Sequence, residues 1–359
     1  MRLSLPQRPA GTAEVTAVIP CYNYGRYLAD AVSSVLTQEG VLARVIIVDD
    51  CSTDDSMDVV RRLAQSDSRI SYIAHAVNEG HIKTYNDGLA AVETDYVLLL
   101  SADDLLAPGA LGRATALMDR HTTVGMVYGA PIEFPDIPPT TDRVGMAPET
   151  WTVWGGHEWA RISCFRGRCF ILSPEVVMRT DVVRQIGGYN SELPKSGDLE
   201  YWLRTAARWD VGRVNGRVQA YYRQHGANMH NMTLPAMAAD VQHRLMAFSY
   251  LAGPEFAEHS DRGARLLESA RKGLSRESLI LATRELDAGG RIDTAEALQS
   301  VAVEIWPASA RSRRAQKFAQ RLRRAQRGGH PTRWQQVAET NRTFLNRLRW
   351  KLYAHTGIS

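Results

Sequence analysis

Tyr96-Val97-Leu98-Leu99-Leu100-Ser101-Ala102-Asp103-Asp104 is the stretch that decides the fold class. Five consecutive apolar residues that stop abruptly at polar and acidic ones describe a strand buried on both faces, as the middle of a parallel sheet requires. Such a strand needs helices over both faces, and the flanking sequence supplies them. Upstream, Val15-Thr16-Ala17-Val18-Ile19 and Val45-Ile46-Ile47-Val48 are short β-branched runs, and Ile70–Ala74 is a third. Between them Tyr27, Leu28, Ala31, Val32, Val35 and Leu36 recur at helical spacing. Met57, Val60 and Leu63 do the same behind Ser52 or Thr53, either of which suits a helix cap. A third helix covers Tyr85 to Ala91, and Gly125-Met126-Val127-Tyr128 is a fifth strand. Strands alternating with helices predict an α/β fold: one mixed, mostly parallel sheet flanked by helices.

Farther along, the Pro-, Thr- and Asp-rich segment Pro131–Thr150 reads as a surface excursion, and a second α/β stretch runs from Phe170 to Tyr222. Beyond about Pro235 only helices are predicted, over Leu245–Leu251, Arg265–Leu279, Leu281–Leu286, Thr294–Ile305 and Arg311–Arg327. A last helix after Gly328-Gly329 places Trp334, Val337, Leu345, Leu348 and Leu352 on one stripe. The division that follows is a catalytic domain over 1–235 and a helical C-terminal extension over 236–359.

Composition is that of a globular protein, 44% hydrophobic and 23% charged in 359 residues. No apolar run is long enough for a membrane span, and Met1–Ala13 lacks the apolar centre of a signal peptide, so a cytoplasmic location is expected. Cys21, Cys51, Cys164 and Cys169 have no C-x-x-C spacing and are expected to be reduced thiols. The net charge of +4 hides an asymmetry. Residues 311–351 hold thirteen Lys/Arg and one acid, a balance of +12, which leaves the remainder at −8. Three readings of that tail stay open: a solvated basic face, peripheral contact with an anionic membrane, and, least favoured, nucleic acid, for which no reading module is present.

In an open α/β sheet, ligands bind beyond the carboxyl ends of the strands. Here those ends carry Pro20-Cys21-Tyr22-Asn23, Asp49-Asp50 and Ser101-Ala102-Asp103-Asp104. No G-x-G-x-x-G follows the first strand and no P-loop occurs, which argues against a dinucleotide enzyme and a P-loop NTPase. An acid-rich edge accepts a diphosphate only through a divalent cation, and Asp103 and Asp104 suit such a bridge. Capping of a helix beginning near Pro108 is the structural alternative for either.

Taken in order, Val18-Ile19-Pro20-Cys21-Tyr22-Asn23, Val48–Ser56, Asn78-Glu79-Gly80, Asn86-Asp87-Gly88, Leu100–Asp104, Gly187-Gly188-Tyr189, Ser196–Arg204 and Tyr222-Arg223-Gln224-His225 resemble the family 2 inverting glycosyltransferases over roughly residues 14–230. That resemblance implies a single-domain GT-A type fold, Rossmann-like, and transfer from a nucleoside-diphosphate sugar to a glycan, lipid-linked or small-molecule acceptor. It implies a nucleotide pocket of Pro20, Tyr22, Asn23, Asp50, Asn78, Ser101 and Ala102, with Asp50 facing the base. It implies Mg²⁺ or Mn²⁺ on Asp103, with His225 as a further ligand. It implies Asp198 as the base that deprotonates the acceptor, with Glu200 in reserve. Arg204 could steer phosphate or serve an ion pair. Ser101 departs from the family's usual aspartate, Gly197 from its glutamate and Cys51 from its glycine. The alternatives are a sugar-nucleotide-binding protein without activity and a sugar-1-phosphate nucleotidyltransferase, which should carry a glycine-rich basic loop after the first strand.

Overall fold

The computed structural model describes residues 1–7, 11–139, 148–225, 234–253, 260–289 and 291–328. The strands are β1 (Arg2–Ser4), β2 (Ala13–Cys21), β3 (Val41–Asp49), β4 (Ile70–Ala74), β5 (Tyr96–Leu99), β6 (Leu105–Leu106), β7 (Val124–Phe134), β8 (Thr150–Trp154), β9 (Val177–Arg179) and β10 (Asp210–Arg223). The helices are α1 (Gly25–Leu36), α2 (Ser56–Ser66), α3 (His81–Ala90), α4 (Ala110–Arg120), α5 (Gly156–Arg166), α6 (Thr180–Ile186), α7 (Gly197–Arg208), α8 (Leu234–Ser249), α9 (Ser260–Asp287), α10 (Ile292–Ile305) and α11 (Arg313–Gln326).

All ten strands form one sheet in the order β1-β8-β10-β7-β9-β5-β2-β3-β4, with β6 paired to β10 off that path. β4, β3, β2 and β5 are mutually parallel, as are β7 and β10; β6, β8 and β9 run against them. Alternation along the strands fills two cores. Val45 and Ile47 of β3 join Leu28 and Val32 of α1 on one face, while Ile46 and Val48 join Ile82 and Leu89 of α3 on the other.

Several expectations are corrected. Neither Ser52 nor Thr53 caps α2, whose N-cap is Asp55; Ser52 is engaged elsewhere, as described below. The segment Pro131–Thr150 is less of an excursion than its composition suggests, because β7 continues to Phe134 and β8 starts at Thr150; residues 140–147 lie outside those described. β1, β6, β8 and β9 were not foreseen. The two helices predicted over Arg265–Leu286 are one continuous α9, since no Gly or Pro separates Leu279 from Leu281. The predicted helix containing Trp334 to Leu352 lies outside the described residues. None of the described helices is long and apolar enough to cross a membrane.

The helices after residue 236 share a core with the sheet domain. Val241, Phe248, Leu251, Leu266, Ala270 and Leu274 pack in one cluster with Trp159, Cys164, Tyr189 and Trp202. Where α9 crosses the end of α5, two glycines meet: Gly167 has φ +70°, and a Cβ on Gly273 would lie 2.7 Å from the Cys164 carbonyl oxygen and 2.9 Å from the Gly167 nitrogen. Backbone atoms cannot yield as a flexible side chain can. Gly273→Ala is therefore expected to destabilise the chain by about 1–3 kcal/mol, read as a lower Tm in a thermal melt. An unchanged Tm would mean that α9 sits away from α5.

Candidate active site

β2, β3 and β5 end side by side, with Pro20 opposite Val48, Cys21 opposite Asp49 and Val18 opposite Leu99. Everything that follows those strands therefore gathers at one edge. Two residues that are not glycine take left-handed backbone there, Asn23 and Cys51, both at φ +60°. Asparagine tolerates that region. Cys51 occupies the position where glycine was expected, and the turn keeps its shape despite the β-carbon.

Side chains tie the first two loops together. The Asn23 Oδ1 accepts from the Thr53 N–H at 2.7 Å and the Asp54 N–H at 3.3 Å, and the Asn23 N–H donates to Ser52 Oγ at 3.0 Å. Ser52 in turn donates to Asp49 Oδ1 at 2.6 Å. Asn23 thus builds the pocket wall through its amide oxygen. Pro20 is half-buried beside it, and Tyr22 is 44% exposed and open to a ligand.

Asp50 is buried, yet satisfied. Its Oδ1 accepts from His75 Nδ1 and the Glu79 N–H, both at 2.8 Å, and its Oδ2 accepts from the Gly80 N–H at 2.9 Å. Those amides lie just before α3, so Asp50 does not cap the helix after its own strand. Oδ2 retains acceptor capacity for a further donor. Burial pushes the Asp50 carboxyl up, but the His75 ring and the two amides outweigh it, and the group titrates below its ordinary value. His75 is sandwiched: its other nitrogen lies 3.0 Å from Asp87 Oδ2, and Asp87 also pairs with Lys83. Burial lowers the His75 pKa, and the two carboxylates raise it past that loss, leaving it above the usual imidazole value. Asn78 is exposed on the same loop.

After β5, the Asp104 N–H donates to the Ser101 carbonyl at 3.1 Å and closes a tight turn. Ser101 is exposed and Ala102 buried. The turn sends Asp103 and Asp104 to opposite sides. Neither caps a helix, because α4 begins later, behind Gly109. Asp104 faces inward, 1% exposed, with Oδ1 accepting from the Arg223 N–H at 2.9 Å. Its Oδ2 is buried without a partner, and burial first, then the charge of Asp103, hold its carboxyl well above the usual range. Asp103 faces the cleft, where its Oδ2 lies 2.8 Å from His225 Nε2.

That last contact tests the metal. Two cis ligands of an octahedral ion at about 2.1 Å stand about 3 Å apart. Asp103 and His225 therefore fit a divalent cation as a pair once the imidazole is neutral. No group of three or more His, Cys, Asp or Glu suited to a metal occurs among the described residues, so substrate phosphates and water would complete the shell. The His225 ring is fixed by stacking on Tyr27, with centroids 5.5 Å apart, and by Tyr24 at 5.8 Å.

Asp198 stands in the first turn of α7 and does not cap it. The N-cap is Ser196, and Asp198 Oδ2 accepts instead from Ser173 Oγ at 2.6 Å. Tyr85 of α3 lies within electrostatic reach of both Asp198 and Asp103, which raise its phenol pKa after burial; one ring thus links the two acid centres. Glu200 is corrected as a reserve base: it is 2% exposed and held by Arg204, Nε to Oε1 at 2.7 Å. Arg204 also donates to the carbonyls of Ile186 and Gly188, a packing role that removes it from phosphate steering. Trp202 and Leu203 are core. Sequence reasoning missed His75, Ser173 and Arg223. Each lies outside the acid motifs, and only tertiary contacts reveal its role.

Residues 16–175 match the model of glycosyl transferase family 2. These residues belong to that family. Relatives include an uncharacterized glycosyltransferase of Nostoc sp., 29% identical over 223 residues, which are 60% of this chain and 66% of that protein. Another is the putative teichuronic acid biosynthesis glycosyltransferase TuaG of Bacillus subtilis, 31% identical over 138 residues, 38% and 54% of the two chains. The chain thus spans between half and two thirds of the length of these relatives. The fold is that of S. aureus TarS 1–349 in complex with UDP (TM-score 0.56, 14% identity, covering 88% of this chain and 92% of that one). It is also that of mannosyltransferase PcManGT from Pyrobaculum calidifontis in complex with GDP-Man and Mn²⁺ (TM-score 0.51, 16% identity, 90% and 87%). The expected GT-A type α/β fold with a C-terminal helical region is what the sheet and these likenesses show.

The His75 sandwich predicts a pH signature. A raised imidazole pKa adds stability that is complete below the unfolded value, about 6.5, and is lost as pH rises through the folded value. His75→Ala should lower Tm most near pH 6, with the difference from the parent shrinking toward pH 9, as melts across about pH 5–9 would show. A constant difference would remove the charge argument.

Proposed function

We propose that the chain is an inverting glycosyltransferase that moves a sugar from a nucleoside-diphosphate sugar to an acceptor hydroxyl. What supports this reading is that Asp50 and the Asp103–His225 pair follow the carboxyl ends of β3 and β5, on either side of β2, and that Tyr85 lies within electrostatic reach of both Asp103 and Asp198. Asp50 would take a donor N–H of the base on the free capacity of Oδ2, beside Pro20, Tyr22 and Asn23. Ser101 and Ala102 would lie along the ribose and Asn78 at the rim. Asp103 and His225 would hold Mg²⁺ or Mn²⁺, which supplies charge neutralisation at the leaving diphosphate. Asp198 would take the acceptor's proton as its oxygen attacks the anomeric carbon, which inverts that centre. The reading leaves UDP, GDP and dTDP open as the nucleotide. Relatives named for teichuronic acid and for succinoglycan biosynthesis support an envelope or exported polysaccharide, lipid-linked during assembly, as acceptor.

Asp103→Asn and Asp198→Asn should each reduce release of nucleoside diphosphate from a panel of UDP- and GDP-sugars with Mn²⁺ by at least about 100-fold, with Tm unchanged. Near-parental turnover in Asp198→Asn would remove it as the base.

A lipid-linked acceptor makes membrane attraction of the basic extension part of the proposal. α11 buries its apolar stripe, Ala315 and Phe318, against α9 and α10. What it offers a bilayer is charge alone: Arg311, Arg313, Arg314, Lys317, Arg323, Arg324 and Arg327 are exposed. Binding should then be to anionic vesicles only and vanish at about 0.5 M salt, where screening is strong. Flotation with phosphatidylglycerol against phosphatidylcholine vesicles, for the parent and for Arg313→Glu/Lys317→Glu/Arg324→Glu, checks this. Binding to neutral vesicles, or binding unaffected in the triple variant, would overturn it.

A further inference from the structure

We propose that Ser173 is a positioning residue for Asp198, kept in a strained backbone so that its hydroxyl fixes the carboxylate. Ser173 is one of three non-glycine residues with positive φ among the described residues, at +77°. Unlike asparagine, serine gains little there, and it precedes Pro174, which restricts its backbone further. Glycine would take this conformation at no steric cost. What glycine lacks is the hydroxyl, and that hydroxyl donates to Asp198 Oδ2 at 2.6 Å.

The surrounding turn is built to hold it. The Val176 N–H donates to the Ser173 carbonyl at 3.0 Å, and the Leu172 N–H donates to Glu175 Oε1 at 3.1 Å. Glu175 is itself buried beneath the turn, where burial pushes its pKa up to about 7. The other groups within electrostatic reach of the Asp198 carboxylate are Tyr85 from α3, Tyr189 and Cys169. Burial raises the pKa of all three, so they stand there as neutral groups. Each carboxylate oxygen has two acceptor sites, so these donors leave room for an acceptor hydroxyl.

This inference rests on the reading of Asp198 as the base. The acceptor proton goes to the Asp198 carboxylate, the acceptor oxygen bonds the anomeric carbon, and the nucleoside diphosphate departs with the bonding pair. A carboxylate free to rotate would present its lone pairs to that proton less often. A charge-assisted hydrogen bond of this kind also favours the ionised form, so its loss should make Asp198 easier to protonate.

Ser173→Gly separates the two roles a serine could have. It relieves the backbone and removes the hydroxyl. Expected are a Tm above that of Ser173→Ala, kcat lowered about tenfold with the donor KM unchanged, and the acid limb of the kcat/KM profile moved up by about one pH unit. Ser173→Ala should lose kcat equally without the gain in Tm. Carbon-13 NMR of the aspartate carboxyls in the full chain, assigned with Asp198→Asn, gives the same titration without any donor. An unmoved Asp198 titration, or a Tm in Ser173→Gly no higher than in Ser173→Ala, would overturn the proposal. A moved titration alongside full turnover in Asp198→Asn would instead overturn the base assignment and leave the hydrogen bond standing.

Discussion

The clamp between the end of β10 and the turn after β5 is the contact on which the rest of the site depends. β10 runs antiparallel to β6, with Ala220 opposite Leu106 and Tyr221 opposite Leu105. That register carries Arg223 to the Asp103-Asp104 turn. Its backbone N–H goes to Asp104 and its Nε to the Asp103 carbonyl at 2.9 Å, while its guanidinium also reaches the Asp136 carbonyl at 3.0 Å. Two residues later the strand delivers His225 to Asp103. A side chain 122 positions away along the chain meets its partner because a short ladder fixes the register.

The same clamp explains how so many acids share one edge. Charges close together in a partly buried cleft repel, and each must be neutralised or fixed by donors. Asp50 is fixed, by an imidazole and two amides. Asp104 is turned inward, where burial holds its carboxyl well above the usual range. Asp103 keeps the His225 imidazole beside it. On the proposed reading, a cation brought with phosphates would need only two protein ligands, where a dedicated metal cage needs more.

Sequence was most informative where chemistry and periodicity coincide. The apolar run ending in Ser101–Asp104 placed β5 and its turn, and the β-branched runs placed β2, β3 and β4 within a few residues. The strand-end rule then pointed to Asp49-Asp50 and Ser101–Asp104, and the family resemblance singled out Asp50 and Asp103 among them. What stayed hidden has a physical reason in each case. β6 and β9 are two and three residues long, too short to show a period. The roles of Glu200 and Arg204 depend on a carbonyl at Ile186 and on burial, neither of which spacing encodes. Asn23 appeared as a pocket residue, and the structure adds that its amide oxygen is already committed to the neighbouring loop.

Strain ties these observations together. Asn23, Cys51 and Ser173 are the non-glycine left-handed residues of the described chain, and all three sit at the cleft: after β2, after β3 and against Asp198. Random imperfection would scatter such conformations along surface turns, where glycine is available at no cost. At two of these points a side-chain contact accounts for the use of a residue other than glycine. Asn23 uses its side chain to lock two loops together, and Ser173 uses its hydroxyl on a carboxylate. Both contacts hold polar groups in place before any substrate arrives, which lowers the ordering cost of binding and of proton transfer alike. The stability given up in the turns thus reappears as fixed geometry at the acids.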